Sequence, residues 1–167
     1  MAAAADGFGA SLVMASVTPS QRLANQPLIG NRARVLLVNK DLQDLGYYRQ
    51  ILQKLGCQVR TSSSFAEGVH CLGCEPFDLI ILDQGCDRFE GRDVLARAME
   101  IDVDLRVLVL ARAYARDCYL EAMQSGALDY HEGPLRAEEI VALLDTFVPR
   151  RNAVDPRKRR SKGGGYG

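Results

Sequence analysis

Residues 77–83 read Phe77-Asp78-Leu79-Ile80-Ile81-Leu82-Asp83. Five of them are apolar, two of those are β-branched, and four run consecutively, which suits a strand buried on both faces. Strands of that kind belong to parallel sheets covered by helices. A carboxylate at the end of one sits on the carboxyl edge of the sheet, where open α/β folds assemble their binding and reaction sites. Asp83 is therefore the first candidate functional residue.

The same punctuation repeats on either side. Arg34–Val38 (RVLLV) reads as an apolar strand. Asp41–Leu55 places Leu42, Leu45, Tyr48, Leu52 and Leu55 on one helical face and stops at Gly56. Gln58–Thr61 is a half-polar strand. Ser64-Phe65-Ala66-Glu67 has the spacing of a capping box and opens a second helix ending near Leu72. After Asp83 come a helix over Gly91–Ile101, a strand over Leu105–Leu110, a helix over Tyr114–Ser125 and a weak strand over Ala127–His131. A last helix over Arg136–Phe147 turns Ile140, Leu143, Leu144 and Phe147 inward.

Strands that alternate with helices in this way imply α/β architecture, with a parallel sheet and helices on both faces. Right-handed crossovers leave few topologies. With the three most apolar strands central and the two weaker ones at the edges, the expected fold is flavodoxin-like and doubly wound, in the order 2-1-3-4-5. Its switch point lies between the first and third strands. That places Asn39 beside Asp83.

Composition sets the outer bounds. The chain has 167 residues, 47% hydrophobic and 25% charged, which suits one soluble domain of about 118 residues, 31–148, between tails. It has no Trp, so the core is aliphatic. Formal net charge is zero, but residues 149–167 carry Arg150, Arg151, Arg157, Lys158, Arg159, Arg160 and Lys162 against Asp155, a net +6, and the body 31–148 carries −6. Residues 1–30 read as a poorly ordered leader, with Met14 as an alternative start, and 149–167 as a disordered basic tail. No apolar stretch reaches membrane-spanning length, and the N-terminus lacks a secretory pattern. Five cysteines at irregular spacing do not make a disulfide framework. The expected setting is the reducing cytoplasm, with no membrane contact.

Residues 33–148 resemble a response-regulator receiver domain of two-component signalling. The resemblance rests on Val-Leu-Leu-Val before Asn39-Lys40-Asp41, Leu82-Asp83 with Gly91 eight residues on, Leu-Val-Leu-Ala111, Gly126-Ala-Leu-Asp-Tyr130 and Gly133-Pro134. It implies a phosphoacceptor at Asp83, an acidic pair after the first strand that helps to hold Mg²⁺, a Thr or Ser ending the fourth strand, a Lys before the Pro and a switch aromatic at Tyr130. Carried over by position, the pattern is uneven. The acidic pair falls on Asn39 and Lys40. Asp41 sits one place late, the hydroxyl position is Ala111, the lysine position is Gly133, and the Pro often found four residues after the acceptor is Asp87.

Phosphoryl transfer needs the developing oxygen charge neutralised by Mg²⁺ and cations. Mg²⁺ in turn wants carboxylate oxygens in near-octahedral array. Here an amide and an ammonium replace two carboxylates. Lys40 is expected to pair with Asp83 where the metal would lie, with Asp41 and Asp83 as residual metal candidates and no cofactor required. Arg112 has a route into the site from a different direction but is read as a solvated loop cation, and Tyr130 as a packed ring with no hydroxyl at Ala111 to draw it inward.

The remaining motifs carry less. Cys71-Leu-Gly-Cys74 after His70 is a CxxC without a second pair, read as small thiols near a helix end even with Cys57 at the same rim. Cys86 is read as an exposed loop thiol and His131 as an edge-strand polar residue. Neither a GxGxxG turn nor a Walker loop is present, and the chain is expected not to be an enzyme. The reading that follows is a signalling module that contacts proteins, such as a histidine kinase or an effector, with weak or no Mg²⁺-dependent phosphorylation at Asp83. A homodimer is expected through the surface of the fourth helix, fifth strand and fifth helix. One alternative is a conventional receiver phosphorylated at Asp83. The other is a nucleic-acid-associated protein that uses the basic tail, where Tyr166 is the only aromatic for base stacking.

Overall fold

Leu79–Asp83 is the middle strand of a five-stranded parallel sheet. The computed structural model describes residues 33–148. The leader with Met14 and the basic tail with Tyr166 lie outside the described residues. Strands β1 (Arg34–Val38), β2 (Gln58–Ser62), β3 (Leu79–Asp83), β4 (Arg106–Ala111) and β5 (Asp129–Glu132) alternate with helices α1 (Leu42–Lys54), α2 (Phe65–Cys74), α3 (Arg92–Ile101), α4 (Arg116–Gln124) and α5 (Ala137–Phe147). The strand order is β2-β1-β3-β4-β5, as the ranking of strand apolarity requires.

Burial follows from that order. Every residue of β3 is buried, as is all of β1 and β4 after their first residues, whereas β2 and β5 keep exposed positions at the edges. Alternate residues of each central strand face opposite sides. Leu36, Val38, Ile80, Leu82, Val107 and Val109 pack into one core layer, shared with Val94 and Leu95 of α3 and Ala122 of α4. Val35, Leu37, Leu79, Ile81, Leu108 and Leu110 pack into the other, against Leu52 of α1 and Ile140 and Leu144 of α5.

Three local expectations change. Leu42 is 70% exposed, so the inward stripe of α1 begins at Leu45, because the first turn belongs to the rim beyond the end of β1. The Ser64–Glu67 box is rewired. Ser64 Oγ accepts from the Glu67 N–H, but the Glu67 carboxylate accepts from Ser62 Oγ, and the Ser64 N–H donates to that same hydroxyl. The hydroxyl at the end of β2 has inserted into the motif. Finally, β3 starts at Leu79, because Asp78 pairs outward with Arg34, its carboxylate accepting the Arg34 N–H at 2.8 Å.

Gly91 brings α3 against the end of β3. A Cβ there would lie 2.8 Å from the Asp83 carbonyl oxygen and 3.0 Å from Leu82. The position demands a close approach that any side chain would block.

Candidate functional site

Val38 pairs with Leu82 across the β1–β3 ladder, so the next residues, Asn39 and Asp83, stand side by side at the carboxyl rim. Both are buried. The Asp83 carboxylate accepts from the backbone N–H groups of Gly85 and Lys40. Burial nevertheless raises its pKa above the ordinary aspartate value, opposed by these N–H groups and by the nearby Arg112 charge. Asn39 Oδ1 accepts from the Asp41 N–H at 2.8 Å and so shapes the turn into α1.

The cations do not sit where the sequence suggested. Lys40 does not pair with Asp83. Its ammonium donates to the Glu90 carboxylate and lies 5.1 Å from the centre of the Phe65 ring. Glu90 accepts the Cys86 N–H as well, so the loop after β3 offers Lys40 a carboxylate farther out on the rim, and Asp83 is left to backbone donors. The pair holds Glu90 below and Lys40 above their usual pKa values.

Arg112 takes the inner place. Its guanidinium donates to Asp41 Oδ2 and lies 3.7 Å from Asp44 Oδ2. Asp41 also caps α1, accepting from the N–H groups of Gln43 and Asp44. The Asp44 N–H is the largest influence holding the Asp41 carboxyl below its usual range, followed by Arg112. Asp44 was missed by sequence reasoning. Its signal was present, since a residue three places after Asp41 on a helix faces the same way.

Two clefts open on this rim. One, of about 370 Å³, runs from Asn39 and Asp44 past Asp83 to Ala111, Gly133 and Tyr48. The other, of about 620 Å³, runs from Lys40 past Asp83 to Cys86, Tyr114 and Ala115. Asp41, Asp83 and Arg112 line both.

The donor set does not fit Mg²⁺. Asn39 Oδ1 is engaged by a backbone N–H, one Asp41 oxygen caps a helix, and the other holds Arg112. Among the described residues no group of three or more His, Cys, Asp or Glu is arranged to hold a metal. The positions that would grip a phosphoryl group are equally bare. Ala111 is buried and carries no hydroxyl. A Cβ on Gly133 would lie 3.1 Å from the Tyr48 hydroxyl oxygen, which accepts the Leu135 N–H at 3.0 Å. The Tyr48 hydroxyl thus crowds the place from which a lysine stem would start.

Tyr130 is packed, as expected, edge-on against Tyr119 at 5.6 Å and Tyr114 at 6.1 Å. Its hydroxyl also has a partner that the sequence did not suggest. Tyr130 donates to Gln84 Oε1, in a buried hydrogen bond beside Asp83. The Gln84 amide donates in turn to the Cys86 carbonyl at 3.4 Å, and its backbone N–H donates to Leu110.

Elsewhere, Cys71 is buried and Cys74 exposed, with Cys74 Sγ 3.5 Å from His70 Nε2. Cys57 is buried, which pushes its thiol up to about 11. Cys86 is exposed, and His131 Nε2 lies 3.1 Å from Asp129 Oδ2 on the edge strand.

Comparison with known proteins shows the family. The family model of the response regulator receiver domain matches residues 35–145. This chain belongs to that family. Among curated relatives, the receiver is 33% identical over 111 residues to the alginate biosynthesis transcriptional regulatory protein AlgB of Pseudomonas putida, covering 66% of this chain and 25% of the relative. It is 32% identical over 119 residues to the transcriptional regulatory protein QseB of Haemophilus influenzae, covering 71% and 53%. The chain thus spans about a quarter to about half the length of these relatives. The receiver fold is shared with the CheY-like domain of Methanospirillum hungatei JF-1, at TM-score 0.61 and 24% identity over 69% of this chain and 95% of that one. It is shared too with chemotaxis protein CheY4 of Vibrio cholerae, at TM-score 0.64 and 21% identity over 70% and 99%. No helix among the described residues is long and apolar enough to cross a membrane.

Proposed function

We propose that this receiver domain signals by protein contact, with weak or no Mg²⁺-dependent phosphorylation at Asp83. One observation carries the reading. Tyr130 is tied inside the domain by Gln84, through a bond that does not involve the Asp83 carboxylate. A modification shifts a conformational equilibrium only through contacts that differ between the two states. At Ala111 and Gly133 a phosphoryl group would find neither a hydroxyl nor an ammonium to make such contacts. The surface of α4, β5 and α5, with Tyr114, Leu120 and Leu128 exposed, is then constantly available. Its partner is a histidine kinase or a downstream effector, or a second copy of the chain, and the setting is cytoplasmic. The chain itself is not an enzyme.

A second reading has its own observation. Asp83 lines both clefts, so a small phosphoryl donor has a route to it, as in a conventional receiver. Mass measurement after incubation with acetyl phosphate and Mg²⁺, against Asp83→Asn, separates the two. Amide shifts with Mg²⁺ and beryllofluoride give the second arm. The contact reading expects little or no mass increase and no shifts across α4, β5 and α5. An Asp83-dependent phosphoryl adduct with shifts across that face would establish the conventional one.

A further inference from the structure

We propose that Arg112 is the resident cation of this rim, acting as a charged bar beside Asp83 and competing there with divalent metal. The inference rests on the proposed reading that metal use is weak, and it names the group responsible.

Three observations lead to it. First, Arg112 lies against the inner acidic residues. It donates to Asp41, sits 3.7 Å from Asp44, and its charge acts on Asp83. Second, Asp41, Asp83 and Arg112 line both clefts, so the Asp41–Arg112 ion pair borders each of these approaches to Asp83. Third, Lys40 is engaged elsewhere, on Glu90 and the Phe65 ring. A dication approaching Asp83 must therefore displace the guanidinium from Asp41 to recruit that carboxylate, or bind with the Arg112 charge still acting on the site. The bar is not buried, since the Arg112 side chain is 65% exposed. It is held by charge, with one guanidinium nitrogen close to both Asp41 and Asp44.

The test uses the full chain with magnesium chloride, and manganese chloride as a paramagnetic probe, read by amide signals at residues 39–41 and 83–85. Four forms are compared: unaltered, Arg112→Ala, Arg112→Lys and Lys40→Ala. Removing one positive charge at this range should tighten Mg²⁺ binding at least about ten-fold in Arg112→Ala. Arg112→Lys, which keeps the charge, and Lys40→Ala, which leaves the inner cation in place, should stay within about three-fold of the unaltered chain on the same scale. Arg112→Gln repeats the charge loss with more of the stem kept, so that a folding defect in one variant leaves the other readable. If neither neutral variant gains affinity while the unaltered chain also binds poorly, the bar is wrong and the contact reading stands. If Lys40→Ala gains as much as Arg112→Ala, the assignment to Arg112 is wrong. If the unaltered chain already binds Mg²⁺ at Asp83 below about 1 mM, as a site with ordinary carboxylate ligands would, the bar and the reading on which it rests both fall.

Discussion

Replacing Tyr130 by Phe removes a single hydroxyl, and the structure sets what that costs. The hydroxyl donates to Gln84 Oε1, and Gln84 is 2% exposed while Tyr130 is 8% exposed. Tyr130→Phe keeps the ring contacts with Tyr114 and Tyr119 but leaves a buried amide oxygen without its donor. A net hydrogen bond contributes about 1 kcal/mol, and an orphaned buried acceptor costs about 1–3 kcal/mol. Solvent cannot repair the loss at 2% exposure, so we expect about 2 kcal/mol, in the middle of that range. Gln84→Met, of similar length, should cost less, since the tyrosine hydroxyl keeps the Ala115 backbone N–H as a partner. The double variant Tyr130→Phe/Gln84→Met removes both polar groups, so its loss should be well below the sum of the singles, with a coupling of about 1–2 kcal/mol. Urea unfolding of the four proteins at neutral pH supplies the cycle. Additive losses, or a Tyr130→Phe cost under about 0.3 kcal/mol, within the usual error of additivity, would refute the Tyr130–Gln84 tie and remove the observation on which the proposed function stands.

Other outcomes follow from the same rim. Burial raises the Asp83 pKa in the folded state, so this carboxylate's relative contribution is most favourable below its unfolded pKa and is lost as pH rises through the folded value. Asp83→Asn should therefore be more stable than the unaltered chain at pH 7 by urea unfolding, with the advantage shrinking as pH falls to about 4; an advantage that grows on acidification would show the opposite shift. Gly133→Ala should destabilise by roughly 1 kcal/mol, the lower end for overpacking, because its Cβ meets the Tyr48 hydroxyl at 3.1 Å; thermal melts should show a smaller loss in a Tyr48→Phe background, and an equal loss there would place the strain elsewhere. Phe89→Ala, at a side chain with 0% exposure, should cost about 3–5 kcal/mol in urea unfolding; a loss under about 1 kcal/mol would mean that the loop after β3 is not anchored by this ring.

What sequence decides here is whatever depends on period and on position along one strand. The apolar runs of β1, β3 and β4 could only be central, and their order puts Asn39 beside Asp83. The losses at Ala111 and Gly133 were equally legible, because a missing hydroxyl or ammonium needs no geometry to be missed. Leu42 was misplaced because periodicity continues a stripe into a helical turn that has no core beneath it.

Only the tertiary structure could distribute the charges and hydrogen bonds. Lys40 and Glu90 are 50 residues apart, Asp41 and Arg112 are 71 apart, and Gln84 and Tyr130 are 46 apart. The metal-ligand position that falls on Lys40 suggested it as the partner of Asp83, yet a long flexible side chain goes to whichever carboxylate the fold leaves open, and that was Glu90. Arg112 looked like a solvated cation from its loop and became the inner one because β4 delivers it opposite the cap of α1. Backbone period is local and can be read along the chain. The partner of a side chain is chosen in three dimensions, among groups that only packing brings within reach.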